Sequence, residues 1–570
     1  MSAHWNSGGR AGAAQLLARD WDLIVIGGGI TGAGILLEAA RRGLKTLLVE
    51  QRDFAWGTSS RSSKLVHGGL RYLKEGKFGL TRESVHERQQ LLRDAAGLVE
   101  PQSFAFGDYV GRKPGRRMFL LGLAIYDLMA GQRARHYFGH DEFLALAPNI
   151  AAAGLQGGMC YTDAKTDDAR LVLRVLREAQ QHGGVALNYM AVESLLRQDG
   201  DGDGDGNGEG GRSGNGKAAG GVHATGSGKV HDIGGKAGKV RGVRVRDGVT
   251  GQLHEVRARL VISATGAWAD GLRAQGGAAP RLRPLRGSHL VLPAWRLPLA
   301  QAVSLMHPAD GRPVFAFPWE GVTLVGTTDV DHRGDMAREA AITRAEVDYL
   351  MAALHDQFPQ LALQESDILA SYAGVRPVID SGKSDPSKEG RDHALWLEDG
   401  LLTVTGGKMT TFRVIALDAL RKAATLLPDW RDRLEPRPIF APCAPLRYDR
   451  RLSVTQAARL QGRYGALAQQ LVDAAQPGEL ATIAGTQTLW VQLRWAARCE
   501  SVQKLDDLLL RRSRIGIQLR GGGADILPRV RAICQPELGW SDQRWEDEQR
   551  TYLALWASHY SLPAQRATTK

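Results

Sequence analysis

Gly27-Gly28-Gly29-Ile30-Thr31-Gly32 carries the spacing G-x-G-x-x-G, and Glu50 follows about 20 residues on, where a dinucleotide-binding fingerprint requires an acid. Each residue type has a physical use. The first glycine permits a tight turn, the second lets the backbone approach a pyrophosphate, and the third allows a helix to pack closely on a strand. The free N–H groups of that helix would meet the phosphates, and the Glu50 carboxylate suits a pair of ribose hydroxyls. The fingerprint alone leaves FAD and NAD both open, because they share the ADP half.

Three further stretches have useful chemistry. Residues 58–72 hold Thr58, Ser59, Ser63, Lys64 and Leu65, followed by His67-Gly68-Gly69 and Arg71-Tyr72. Hydroxyls and amides at this density would suit phosphate and ribityl oxygens, and they would equally suit an ordinary polar loop. Thr265-Gly266 closes the buried-strand pattern 260–264, which either returns to the nucleotide or is a plain core strand. Gly406-Gly407-Lys408 lies between a strand pattern and a helical one, so a second helix N-terminus becomes available to negative charge.

The elements that would position these groups can be read around them. An apolar strand, 23–26, precedes the glycine turn, and Ile35, Leu36 and Leu37 give the following helix its sheet-facing side. A helix is expected over 81–96, another opening at Asp167-Asp168, and a third running from 410 to about 427. Strand-like runs at 288–293, 314–318 and 322–327 predict a second, mainly antiparallel sheet covering the redox end of the cofactor. The Pro-rich run 435–445 reads as a linker to helical segments at 452–471, 487–510 and 525–532.

Between 199 and 238 the composition collapses to Gly, Asp, Asn, Ser and Lys, too polar to offset its ordering entropy. A calcium loop beginning at Asp199 would need Glu at its twelfth position and has Gly210, so the tract reads as a long insertion in a hairpin loop.

The chain of 570 residues, 43% hydrophobic, is long enough for roughly two to four domains. Cys160, Cys443, Cys499 and Cys534 lie far apart with no C-x-x-C pair, which argues against a zinc site or a disulfide framework and fits a reducing compartment. The first 20 residues have no continuous apolar run and are expected to be a flexible extension. A net charge of +12 favours an anionic partner: phosphorylated substrate, acidic lipid or nucleic acid. Nucleic acid is set aside, since no zinc-finger, RNA-recognition or helix-turn-helix pattern is present. Arg112, Lys113, Arg116, Arg117, Arg133 and Arg135 flank the apolar run 118–129, which is too short for a bilayer span of about 20 residues. It could lie on a membrane or be a core helix with basic flanks.

Taken in order, these motifs resemble the FAD-dependent glycerol-3-phosphate dehydrogenases, within the glycine and D-amino-acid oxidase superfamily. The likeness runs from about Trp21 to Gly516. It rests on 26–34 with Arg42-Gly43, 58–60 with 63–65, His67 to Leu73, Asp167 to Leu171, Arg286-Gly287-Ser288-His289, Gly326 to Asp329, Gly374 to Pro377, Arg391-Asp392-His393 and Gly406-Gly407-Lys408. Glu38 stands where the pattern usually has Asp, Phe412 where it usually has Tyr, and the insertion is foreign to it.

The resemblance implies oxidation of sn-glycerol 3-phosphate to dihydroxyacetone phosphate by hydride transfer to FAD, with electrons passed to a membrane quinone. It places Gly27, Gly28, Gly29, Gly32, Glu50, Thr58, Ser59, Ser63, Lys64, Leu65, Val192, Thr265, Gly266 and Gly407 at the cofactor. Arg71, Tyr72, Arg376, Arg391 and Lys408 would hold the substrate phosphate, with Arg376 and Lys408 also catalytic. His289 is the first choice for the base and His67 the second. No metal is expected.

The fold class implied is an α/β Rossmann-like FAD-binding domain with an antiparallel substrate sheet and a C-terminal helical domain. The FAD-dependent unit would span 21–440, with nucleotide parts at 21–110, 160–275 and 370–430 and the capping sheet at 280–370; the helical domain would span 441–570. A cytoplasmic enzyme bound peripherally to an anionic membrane surface follows, with a homo-oligomer left open. An FAD-dependent amine oxidase, an NAD enzyme using the first fingerprint alone, and a non-catalytic nucleotide scaffold are the competing readings.

Overall fold

The structure is a computed structural model; it describes residues 5, 9–112, 115–131, 134–198, 230–233, 238–383, 389–390 and 392–564. Its first sheet is built around strand Trp21–Ile26, which pairs in parallel with Thr46–Val49 on one side and Leu253–Ser263 on the other. Val185–Leu187 extends it beyond Thr46–Val49, while Leu401–Gly406 and His393–Glu398 extend the other side. Near-continuous apolar strands such as Leu23 to Ile26 demand cover on both faces. One face receives helix Ile30–Ala40, packed between helices Asp168–Gln181 and Phe412–Ala424, and this layer forms one apolar core.

Met190–Gln198 and Lys239–Asp247 pair antiparallel, so the glycine-rich tract does interrupt a hairpin. Most of that tract lies outside the described residues, but Val230–Ile233 forms an edge strand beside His393–Glu398, which composition did not signal.

Among the described residues the second sheet has ten strands, and it is mainly antiparallel. Leu282–Pro293, Pro313–Trp319 and Val322–Gly326 belong to it as expected, but so do Val99–Tyr109, Leu155–Thr166 and Ala370–Ile379, from stretches expected at the nucleotide. Pro101 and the Gly157-Gly158 pair hide the strand period in the first two of those three segments.

C-terminal helices cover the second sheet, and one core joins Phe104, Tyr161 and Trp319 to Leu508, Val530 and Trp545. The expected segment 452–471 divides into Val454–Tyr464 and Ala468–Asp473 at Gly465, whose φ is +57°. The segment 487–510 divides into Trp490–Cys499 and a π-helical turn, Asp507–Arg512. Helix Asp542–His559 was not legible, because only Trp545 and Tyr552 are buried along it. Charge fastens these helices to the first sheet: Arg512 grips both carboxylate oxygens of the fully buried Asp53, and Arg170 does the same for Glu500.

The N-terminal residues are more than an extension. Trp5 is buried, donates to the Ala186 carbonyl at 2.9 Å and stacks on Phe54, while Arg10 pairs with Asp247.

Helix Arg116–Ala130 is amphipathic; lying on a membrane, the run was expected to insert Phe119, Leu120, Leu123 and Ile125, and the structure presents a different outer face. Leu123 is fully buried and Phe119 and Leu120 pack on the core, Phe119 stacking on Phe106, so these three cannot enter a membrane. Met118, Leu121 and Leu128 are 71%, 62% and 83% exposed and form the outer stripe, with half-buried Ile125 between them. No described helix is long and apolar enough to cross a membrane. Lys113 and Arg133 lie outside the described residues.

Candidate active site

The glycine turn has the geometry its residue types predict. Gly27 has φ +112°, and a Cβ on Gly32 would stand 1.9 Å from the Gly27 carbonyl oxygen, so helix and strand meet backbone to backbone. The N–H of Gly28 donates to Glu50 Oε2 at 2.7 Å, and that of Arg52 to Oε1 at 2.9 Å, which fixes the carboxylate at the end of its strand. Burial pushes the Glu50 carboxyl up, and those two amides oppose the shift. Ser59 Oγ accepts the first free N–H of the helix, from Ile30, at 3.0 Å.

From this turn a cavity of about 650 Å³ runs between the two sheets. Gly27, Gly29 and Glu50 line its nucleotide end, with Thr58, Ser59, Ser63, Leu65, Val192, Thr265, Gly266 and Gly407 along its length. Gly406 and Gly407 both have positive φ, +78° and +71°, so the second glycine turn also exposes its backbone. A bare backbone turn, a fixed acid and hydroxyl-lined walls fit a dinucleotide.

Gly28 and Gly32 shape the turn from outside the wall. The Lys64 side chain points away: its Nζ, fully buried, pairs with Asp168 at 2.9 Å and donates to the Ser60 carbonyl. Burial lowers this ammonium to about 8. Its role is to hold loop 58–63 from behind, because a buried ammonium needs an anionic partner.

At the other end the wall carries His67, Tyr72, Arg376 and Lys408. Arg376 donates to Asp329 Oδ1 at 3.0 Å and to Thr327 Oγ1 at 3.1 Å. Lys408 Nζ stands 4.3 Å from the Tyr72 ring centroid and donates to Ser84 Oγ. Arg312 also lines the cavity and reaches Asp329 at 3.4 Å; nothing in the sequence singled it out. Phe104, Tyr161 and Phe315 form an aromatic flank, Phe104 stacked on Tyr161 and edge-on to Phe315. The Arg71 side chain and Arg391 lie outside the described residues.

His289, the first-choice base, is absent from the cavity wall. It is buried behind it, stacked on Tyr372 at 4.6 Å, with Nε2 sharing a 3.0 Å hydrogen bond with Ser63 Oγ. Burial, with Arg376 and Lys64 nearby, holds its imidazole well below the usual histidine range. A neutral ring that touches Ser63 positions that hydroxyl; of the two candidate histidines, only His67 faces the cavity.

The glycine of the Arg286 to His289 motif has a specific task. A Cβ on Gly287 would lie 2.2 Å from Arg376 Nη2 and 2.7 Å from Thr327 Oγ1, so the guanidinium crosses the strand where only hydrogen leaves room. Gly287→Ala is expected to displace Arg376 and lower substrate turnover about tenfold, the scale of one charged hydrogen bond, with flavin content unchanged. Steady-state kinetics beside the flavin absorbance check it.

Comparison with known proteins agrees with this architecture. The model of the FAD-dependent oxidoreductases matches residues 22–233 and 217–413. The chain belongs to that family. A second model, the C-terminal domain of alpha-glycerophosphate oxidase, matches 423–545 of this oxidoreductase. Glycerol-3-phosphate dehydrogenase 2 of Mycobacterium bovis is 34% identical over 565 residues, covering 95% of this chain and 88% of its own. The aerobic glycerol-3-phosphate dehydrogenase of Staphylococcus haemolyticus is 33% identical over 530 residues, covering 88% and 87%. Among solved structures, the Bacillus halodurans glycerol-3-phosphate dehydrogenase complexed with FAD superposes with a TM-score of 0.71 at 26% identity, covering 97% of this chain and 98% of that one. The competing NAD and scaffold readings have no support in these likenesses; the cofactor is FAD.

Proposed function

We propose that this oxidoreductase converts sn-glycerol 3-phosphate to dihydroxyacetone phosphate and delivers the electrons to a membrane quinone. The convergence of Arg376, Lys408 and Arg312 on a cavity that also exposes His67 carries the substrate reading. A phosphate dianion calls for several cations, and guanidinium groups suit its bidentate recognition. An amine oxidase would need one cation for a carboxylate. The names of the M. bovis and S. haemolyticus relatives point the same way.

Bound FAD supplies a hydride acceptor. The chain's own residues do the rest. Arg376 and Lys408 hold the phosphate, with Asp329 fixing Arg376 from the side. His67 takes the proton of the C2 hydroxyl, a task suited to an imidazole with an ordinary pKa of about 6.5. The aromatic flank of Phe104, Tyr161 and Phe315 keeps water from the reacting carbon. The deciding experiment is anaerobic titration of the yellow protein: sn-glycerol 3-phosphate should bleach the flavin, while glycerol and amino acids should not. Bleaching by an amino acid alone would reverse the assignment.

The acceptor reading is supported by the exposed stripe of Met118, Leu121 and Leu128, flanked by exposed Arg116 and Arg117. A quinone is lipid-soluble, and a helix lying on the bilayer can bury such a stripe while each basic residue near an anionic surface contributes about 1 kcal/mol. Leu121→Asp with Leu128→Asp is expected to abolish flotation with anionic liposomes and quinone-linked turnover. Turnover with a soluble dye should survive. Equal flotation of the variant and the parent would refute docking through this helix.

A further inference from the structure

The His67-Gly68-Gly69 turn is gripped by a buried network no part of the proposed chemistry uses. Asp163, on strand Leu155–Thr166 and 3% exposed, accepts the Gly68 N–H on Oδ1 at 3.0 Å. The same oxygen accepts the Tyr126 hydroxyl at 2.6 Å and the Arg88 guanidinium. Arg88 also donates to the Tyr126 oxygen at 2.8 Å and to the Thr162 carbonyl at 3.1 Å, so the three side chains lock one another. On the other side of the turn, Thr410 Oγ1 donates to the His67 carbonyl at 3.2 Å. The fit leaves no slack: a Cβ on Gly68 would stand 2.1 Å from the Tyr126 hydroxyl oxygen and 2.7 Å from Val85.

We propose that Asp163, clamped by Tyr126 and Arg88, is the positioning residue that aims the His67 imidazole into the cavity. The argument is geometric. A base must stand within hydrogen-bond reach of the proton it removes, and an error of about 1 Å can cost roughly a hundredfold in rate. His67 sits on a turn, which cannot provide such placement by itself, and both polar ends of the peptide group that follows its Cα, the His67 carbonyl and the Gly68 N–H, are instead tied to fixed groups. Leaving a buried aspartate here would be costly without a use; satisfied by three donors it rigidifies the site. Two elements far apart in sequence supply the clamp: Arg88 comes from helix Phe78–Asp94, which also presents Ser84 to Lys408, and Tyr126 from helix Arg116–Ala130. The histidine and the phosphate-binding lysine are therefore set by a common frame.

This inference rests on His67 as the base, and the test separates the two. In the FAD-loaded full chain, Asp163→Asn and Tyr126→Phe are compared by amide hydrogen exchange over 64–70 and by rapid anaerobic flavin reduction. The Gly68 amide should exchange at least about tenfold faster in both variants, with exchange in the glycine turn 27–32 unchanged. Flavin reduction by sn-glycerol 3-phosphate should fall about ten- to a hundredfold in Asp163→Asn, with the substrate dissociation constant within about twofold. In a His67→Ala background the same change should add almost nothing, since both remove one interaction unit.

Parental exchange at Gly68 in both variants overturns the proposal without reference to any substrate. Full additivity with His67→Ala overturns it too, as it would show Asp163 acting elsewhere. If sn-glycerol 3-phosphate fails to reduce the parental flavin, the substrate reading falls while the exchange data still decide the role of Asp163. Should Asp163→Asn not fold, Tyr126→Phe, which keeps the Arg88 to Asp163 pair, carries the same comparison.

Discussion

Arg376→Ala and Lys408→Ala are each expected to cut flavin reduction by sn-glycerol 3-phosphate about ten- to a hundredfold while the proteins purify yellow. A charged hydrogen bond to phosphate is worth about 1.5–3 kcal/mol, and each of these residues would supply at least one. Asp329 keeps Arg312 at 3.4 Å when Arg376 is removed, and the Ser84 hydroxyl can turn to another partner when the Lys408 ammonium goes. The loss should therefore appear in substrate handling and leave melting temperature and flavin content near the parental values. Arg451→Ala serves as the control, since that side chain is 69% exposed and pairs only with neighbouring Asp449 among the described residues. Parental kinetics in both site variants would reject a phosphate site at this end of the cavity.

The parts of this molecule that a sequence reveals are those where backbone geometry dictates residue type. The turn at 27–32 is legible because glycine is required there on steric grounds, and Glu50 because the strand that ends in it has a fixed length. Arg376 and Lys408 reach the cavity wall from motifs recognised as wholes. Arg312 and Asp163 carry no such mark, for each gains meaning only when strands from distant parts of the chain pair around it. Helix 116–130 fails in an instructive way. Its residues are apolar on both faces, with Phe119 and Leu123 inward and Met118 and Leu121 outward, so periodicity finds the helix and cannot choose its side. His289 stands one layer back from the wall: position in a strand does not tell whether an imidazole lines the cavity itself or holds, from behind, the Ser63 hydroxyl that does.

Two replacements in the nucleotide turn should separate the cofactor's contacts from the scaffold's. Gly29→Val is expected to give folded, colourless protein. Its new Cβ meets Ser59 Oγ at 3.0 Å, a side chain able to rotate, and the remaining bulk projects where a pyrophosphate must approach the backbone amides. Gly32→Ala is expected to do more. Its Cβ lands 1.9 Å from the Gly27 carbonyl oxygen, and neither partner can retreat. Strand Trp21–Ile26 is held between two parallel neighbours, and helix Ile30–Ala40 is buried along most of its length between two other helices. Overpacking a side chain in such a core costs about 1–3 kcal/mol, and a clash between two backbones has no rotamer through which to escape, so the melting temperature should fall together with flavin content. The ratio of protein to flavin absorbance, measured beside thermal unfolding of each variant, distinguishes the cases. A Gly29→Val protein that keeps its full complement of flavin would show that the pyrophosphate does not lie on this turn.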